Sequence, residues 1–303
     1  MTIYVPPGLP AAEILRGRGL AVCDAPVMNG FNHPSVRIAL INLMPDKGTT
    51  ERHFASVMAD TPRLVDLVLV HPESYTPTTT DVSHMNRFYR NWAEARCAPI
   101  DGVIITGAPV ETMDFEEVAY WDELTEILDD IRAAKIPLLA ICWAAQAALY
   151  HHHQVPKRSL VQKAFGVFQQ QVFRHGSPIV SGLGTQFPCP VSRHTETRWE
   201  DVLAVQDLHV AAAAKETGLC LVEEASSKAH YMFNHLEYGR HTLAREYWRD
   251  VKLGKEIARP KNVFRDNASQ TPVRRTWQDA AARLFSNWVD GLDDTARMPL
   301  HHT

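Results

Sequence analysis

Two separated groups of reactive side chains in this 303-residue chain could together perform acyl transfer. The first is Cys142, which follows the apolar run Pro137-Leu-Leu-Ala-Ile141 and precedes the helix formers Trp143-Ala-Ala-Gln-Ala-Ala-Leu149. A strand ending at the cysteine with a helix starting there puts the thiol on a tight strand-to-helix turn, a nucleophile elbow. The helix N-terminus then favours a thiolate, and backbone N–H groups around Trp143 are free to bind an oxyanion. Position alone fits a small buried hydrophobe equally well. The second group is His235 and Glu237, closing the strand-like run Ala229-His-Tyr-Met-Phe-Asn-His-Leu-Glu237. Residues i and i+2 of an extended chain project to one side, so an imidazole and a carboxylate would share a site. Alone, that spacing also suits a surface pair. A cysteine, a histidine and an acid form a general triad for acyl transfer.

The elements that must position these groups follow an alternating pattern. Nearly continuous apolar runs predict buried strands at 37–43, 64–70, 102–106 and 136–141. Between them, helices are predicted over 50–59 with a Thr49 or Thr50 cap, 81–96 with an Asp81 or Ser83 cap, and 120–135. Beyond about residue 155 the rhythm weakens to shorter strands at 165–173, 203–205, 219–222 and 230–233, with closing helices at 240–255 and 276–292. This layout predicts an α/β fold with a parallel sheet between helices. We read residues 1–34 as an N-terminal extension, 35–265 as the catalytic α/β domain, and 266–303 as a C-terminal helical extension of it.

Composition narrows the functions available. Thirty-one basic and 35 acidic residues give a net charge of −4, which disfavours a nucleic-acid binder relying on a basic face. The five cysteines, Cys23, Cys97, Cys142, Cys189 and Cys220, are widely and irregularly spaced, as free thiols of a reducing compartment are. No apolar run reaches the ~20 residues of a membrane span, and no signal peptide is evident, so a cytoplasmic protein is expected. His151-His-His153 and His301-His302 suggest metal. Successive helical residues point about 100° apart, however, so we expect a solvated helix end, a loose tail and no metal site.

Eight motifs occur in order: Asn42-Leu-Met-Pro-Asp-Lys47, Ile104-Ile-Thr-Gly-Ala-Pro-Val-Glu-Thr112, Phe115-Glu-Glu-Val-Ala-Tyr-Trp121, Ile141-Cys-Trp-Ala-Ala-Gln146, Phe165-Gly-Val-Phe168, Ser192-Arg-His-Thr-Glu196, His235-Leu-Glu-Tyr238 and Glu246-Tyr-Trp-Arg-Asp250. Over roughly residues 35–265 the chain thus resembles the homoserine O-acyltransferase family of the methionine pathway. The resemblance implies a class I glutamine-amidotransferase-like, flavodoxin-like three-layer sandwich. It also implies ping-pong transfer from acyl-CoA to the homoserine hydroxyl through a Cys142 thioester, with His235 as base and Glu237 holding it. Oxyanion donors would come from Trp143 and from the Gly107–Ala108 turn. Lys163, Ser192 and Arg249 fall at substrate-contacting positions, and Lys47 is expected to assist nearby. A guanidinium such as Arg249 can grip an α-carboxylate bidentately. The resemblance further implies a homodimer and no cofactor beyond the acyl-CoA substrate.

The resemblance further implies that the position of Glu111 sorts acyl donors, glycine accompanying succinyl. A second carboxylate within ~4 Å, at an effective dielectric near 20, costs about 4 kcal/mol. Glu111 therefore points to acetyl-CoA. Some positions depart from the family pattern: Asp46, Gln169-Gln-Gln171, and Asn234 and Leu236 around the histidine. They make serine the acceptor to test against homoserine, because pockets discriminate one methylene by only ~10- to 200-fold. Succinyl transfer and serine acetylation are the alternatives on the same scaffold. A glutaminase would use a similar elbow, but Ala144 stands where such enzymes usually carry glycine.

Overall fold

The structure is a computed structural model that describes residues 2–25, 36–75, 79–266 and 271–292. The first elements are β1 (Thr2–Val5), α1 (Pro10–Arg16), β2 (Ala21–Asp24), β3 (Val36–Ile41), α2 (Lys47–Ala59) and β4 (Val65–Val70). Next come α3 (Val82–Phe88), β5 (Tyr89–Arg90), α4 (Trp92–Ala95), β6 (Gly102–Ile105), α5 (Trp121–Ala133), β7 (Leu138–Ile141) and α6 (Trp143–His153). The remainder comprises β8 (Arg158–Val172), β9 (Gln186–Glu196), α7 (Trp199–Leu203), β10 (Leu208–Ala214), β11 (Gly218–Glu224), β12 (Ala229–Met232), α8 (Thr242–Lys252) and α9 (Gln278–Asp290).

All the strands join one sheet in the order β2-β1-β4-β3-β6-β7-β12-β11-β10-β8-β9, with β5 beside β4. Pairing is parallel from β2 through to β12 and antiparallel from there to β9. The parallel half is buried on both faces, as its continuous apolar runs require: β4, β6 and β7 expose no residue to solvent. Two apolar cores lie on opposite sides of it. One holds Phe54, Met58 and Leu284 from α2 and α9, and the other holds Leu124, Ile127 and Leu149 from α5 and α6. Among the described residues no helix is long and apolar enough to cross a membrane.

The N-terminal extension contributes β1, β2 and α1, with β1 paired to β4 inside the sheet. Other sequence-based expectations need correction. The single helix expected over 81–96 is broken: α3 stops at Phe88, β5 pairs with β4, and Asn91 restarts the chain as α4 through a capping box with Glu94. Residues 203–205 form no strand, because Leu203 ends α7 instead. Helix α2 starts at Lys47 rather than at residue 50, since the Asp46 carboxylate accepts the Thr49 N–H at 3.0 Å. Strands β9 and β10 were not anticipated.

Candidate active site

The carboxyl ends of β6, β7 and β12 meet where Gly107, Cys142 and His235 stand. Cys142 lies between the last residue of β7 and the first of α6 with φ 56° and ψ −115°, a backbone conformation costly for a non-glycine residue. Its N–H donates to the Met232 carbonyl at the end of β12 (2.7 Å), which fixes the turn against the neighbouring strand. The thiol thus sits at the amino end of α6, where first-turn N–H groups have no partner within the helix. Gly107 closes the other side. A Cβ there would lie 3.2 Å from the Cys142 Cβ, a tight contact, so glycine eases the close approach of the Gly107–Ala108 turn to the thiol. Ala108 and Trp143 are both buried beside it.

His235 and Glu237 are not on a strand. β12 ends at Met232, and the pair stands in the following turn, where the His235 N–H donates to the Pro190 carbonyl of β9 (2.9 Å) and the Tyr238 N–H to the His235 carbonyl (3.3 Å). The turn brings the two side chains together as alternation would have done, with His235 Nδ1 2.7 Å from Glu237 Oε1. The Cys142 sulfur is near enough to act electrostatically on the His235 ring. Burial opposes a charge on this ring, but the Glu237 carboxylate and the Cys142 sulfur outweigh it and raise its pKa well above 6.5. Tyr238 lies flat on the imidazole, centroids 4.2 Å apart and planes 13° from parallel. Its backbone carbonyl accepts the Trp277 indole N–H at 2.9 Å.

The residues expected to touch substrate divide into two groups. Lys163 and Ser192 converge on Glu246 of α8: Lys163 pairs with its carboxylate, and the Ser192 hydroxyl donates to the same oxygen at 2.7 Å. Arg249, one turn along α8, bonds Asp250 at 2.8 Å and is largely exposed. Glu111 is half-buried, with His194 Nε2 3.9 Å away. Burial raises its carboxyl above the ordinary range against the opposing pull of His194, Lys163 and His235. Lys157 ties this loop down by donating to the Glu111 carbonyl (2.9 Å) and to that of Met113.

Lys47 is the first residue of α2, just beyond the carboxyl end of β3. It is buried at the end of β3 with β6 between it and Cys142's strand, and it meets the Asn42 carbonyl, Glu51 and the Tyr89 ring. Burial pushes its ammonium down to about 8. Glu246, Tyr238, Lys157 and His194 were missed as individual site residues. Three of them lay inside motifs already singled out, and Glu246 shares a helix face with Arg249 by its i, i+3 spacing. The five cysteines are all free thiols, and Cys189 and Cys220 are buried. The histidine run is not a solvated helix end either: His152 and His153 are mostly buried, and His153 bonds Glu224 at 3.0 Å. His301 and His302 lie outside the described residues.

Behind Tyr238, His53 is hydrogen-bonded to the Thr242 hydroxyl (3.1 Å), and burial pushes its pKa down to about 4. His230 is lowered to about 4 by burial as well. The unfolded chain protonates such rings near 6.5, so between about pH 4 and 6.5 it binds more protons than the folded state, and stability rises with pH across that window. Each ring accounts for roughly 3 kcal/mol over the full window. His235 has the opposite sign, and its contribution is lost only as pH rises through its own raised value. The urea midpoint is therefore expected to be lower at pH 5 than at pH 7, and equal midpoints would contradict this assignment.

Comparison with known proteins identifies the family and the fold. The profile of the homoserine O-succinyltransferase family matches residues 2–296. The chain belongs to that family. It is 40% identical over 295 residues to a homoserine O-acetyltransferase of Sinorhizobium fredii, covering 97% of this chain and 96% of that one. A homoserine O-acetyltransferase of Brucella canis is 40% identical over 293 residues, covering 96% and 95%. Among solved structures, a glutamine amidotransferase from Methylobacillus flagellatus superposes with a TM-score of 0.56 at 13% identity, covering 90% of this chain and 99% of that one. One from Thermotoga maritima gives 0.56 at 10% identity, covering 86% and 99%. At such identities the likeness shows the fold, a class I glutamine-amidotransferase-like α/β sandwich. Membership of the family makes the chain a homoserine O-acyltransferase acting on small molecules.

Proposed function

We propose that this homoserine O-acyltransferase is an acetyltransferase that moves acetyl from acetyl-CoA to the L-homoserine hydroxyl through a thioester on Cys142, in methionine biosynthesis. The observation that carries the reading is Cys142 at φ 56° on the α6 terminus, beside a His235 whose Nδ1 is held by Glu237. Nδ1 donating to the carboxylate leaves Nε2 to take the thiol proton. The sulfur attacks the acetyl carbonyl, the oxyanion is met by the Trp143 and Ala108 N–H groups, and the CoA sulfur leaves with the proton from His235. In the second half His235 takes the homoserine γ-hydroxyl proton, the alkoxide oxygen attacks the thioester, and the Cys142 sulfur leaves and is reprotonated. Arg249 would grip the α-carboxylate of homoserine, and Glu246, between Lys163 and Ser192, would face its ammonium.

The Glu111 carboxylate supports acetyl over succinyl. Its carboxyl feels the charges of both Lys163 and His235, which supports a position near the reacting groups, where a second carboxylate would be repelled. The names of the Sinorhizobium and Brucella relatives point the same way. A chain that stores acetyl on Cys142 needs that thiol reduced, which fits five free cysteines and a cytoplasmic, homodimeric enzyme with no cofactor beyond acetyl-CoA. Glu111→Gly is expected to raise kcat/KM for succinyl-CoA relative to acetyl-CoA by about 100-fold or more. Because burial raises the Glu111 carboxyl, discrimination in the parent is full above that raised value and weakens as pH falls through it. Rates with both donors, crossed against homoserine and serine, test this. An unchanged donor ratio in the variant would sink the filter, and a preference for serine would overturn the acceptor.

A further inference from the structure

Helices α5 and α6 lie side by side, and at the carboxyl end of α6 two adjacent histidines turn toward one carboxylate of α5. His151 Nε2 is 2.8 Å from Asp129 Oδ1, and His152 Nδ1 is 3.8 Å from the same oxygen. The three atoms all lie within 4.8 Å of one another. Adjacent residues on a helix diverge by about 100°, yet these rings converge because one presents its far nitrogen and the other its near one. The rings lie 4.7 Å apart at 56°, and the Trp121 indole stands nearly perpendicular to the His151 ring, centroids 6.4 Å apart.

We propose that Asp129, His151 and His152 form a binding site for a borderline divalent cation of the zinc class, pinning α5 to the far end of the helix that carries Cys142. Ligand atoms around a tetrahedral zinc with bonds of about 2.0–2.1 Å stand roughly 3.3 Å from each other, a spacing that the 2.8 and 3.8 Å distances bracket. Two imidazoles and one carboxylate are a donor set that suits zinc, nickel or copper and not magnesium. The Arg132 cation is itself engaged by Glu224, which also takes His153, leaving Asp129 to His151 and His152. The negative end of the α6 dipole adds to the attraction for a cation. Asp129 is mostly exposed, so water can fill the remaining coordination positions.

The test uses the full chain with Cys142→Ala, His301→Ala and His302→Ala in every arm, removing the reactive thiol and the tail histidines as competing ligands. Zinc uptake is measured by equilibrium dialysis and calorimetry. The expected result is one zinc per chain, weakened on the order of 100-fold by His152→Gln and by about 10-fold by Asp129→Asn, with no saturable magnesium binding. Thermal unfolding supplies the second measurement: in chelator the His152→Gln chain should unfold with its parent, and zinc should raise the unfolding temperature of the parent alone. No saturable zinc binding in the parent, or equal binding and equal stabilisation in parent and His152→Gln, would overturn the proposal.

Discussion

Replacing Cys142 with alanine is expected to lower kcat/KM for acetyl transfer to homoserine by at least about 10⁴-fold while leaving the fold intact. The size follows from what the thiol supplies. Without it there is no covalent intermediate, and homoserine must attack acetyl-CoA directly in a site that never holds both partners as an activated pair. A 10⁴-fold loss is about 5.4 kcal/mol of transition-state stabilisation. The substitution removes one sulfur atom from a position whose backbone is already fixed by the Cys142–Met232 hydrogen bond and by Gly107, so circular dichroism and the unfolding midpoint should stay close to the parent's. Retention of more than about a hundredth of the parent rate by a folded variant would mean that transfer does not pass through this sulfur.

Glu237→Gln is expected to be nearly as severe, about 10³- to 10⁴-fold in kcat. The amide keeps the size of the side chain but loses the charge that holds a wholly buried imidazolium. It can also present its N–H₂ to Nδ1, which would select the tautomer with the proton on the wrong nitrogen. With the carboxylate gone, burial dominates and the His235 pKa should drop from above 6.5 toward lower values. Nuclear magnetic resonance titration of His235 reads that shift independently of rate. A merely structural acid would leave the titration in place, and an unchanged His235 pKa together with a small rate loss would remove Glu237 from the triad.

The parallel half of the fold was legible because it obeys a simple rule: strands buried on both faces are continuous apolar runs, and β3, β4, β6 and β7 read that way. The antiparallel half was harder for reasons visible in particular residues. β9 carries Pro188 and Pro190, which argue against a strand, yet it is the edge of the sheet, where missing N–H groups cost least. β10 is Leu-His-Val followed by four alanines, a composition with little preference for strands, and it is held there by β11 and β8. The break between α3 and α4 had a readable signal in the Asn91-to-Glu94 capping box, overlooked because the apolar spacing ran on through it.

At the site, local sequence identified the elbow, since a strand-to-helix junction at a cysteine needs only neighbouring residues to define it. The convergence of His235 on Cys142 depends on β12 lying beside β7, a pairing of segments about ninety residues apart that no local pattern encodes. Glu246 was hidden for the same reason, because its partners Lys163 and Ser192 come from β8 and β9. Lys47 was read from its place after a strand, and the structure adds what sequence could not show: its ammonium is buried against the Asn42 carbonyl and the Tyr89 ring.

The central claim is that acetyl rests on Cys142 between two half-reactions. Intact-protein mass spectrometry after mixing the enzyme with acetyl-CoA, without acceptor, tests it most directly. The account predicts a mass increase of one acetyl group per chain, mapped to Cys142, absent from Cys142→Ala, and discharged to O-acetylhomoserine when homoserine is added. An enzyme that turns over both substrates yet never carries acetyl, or a Cys142→Ala chain that carries it as well as the parent, would contradict it.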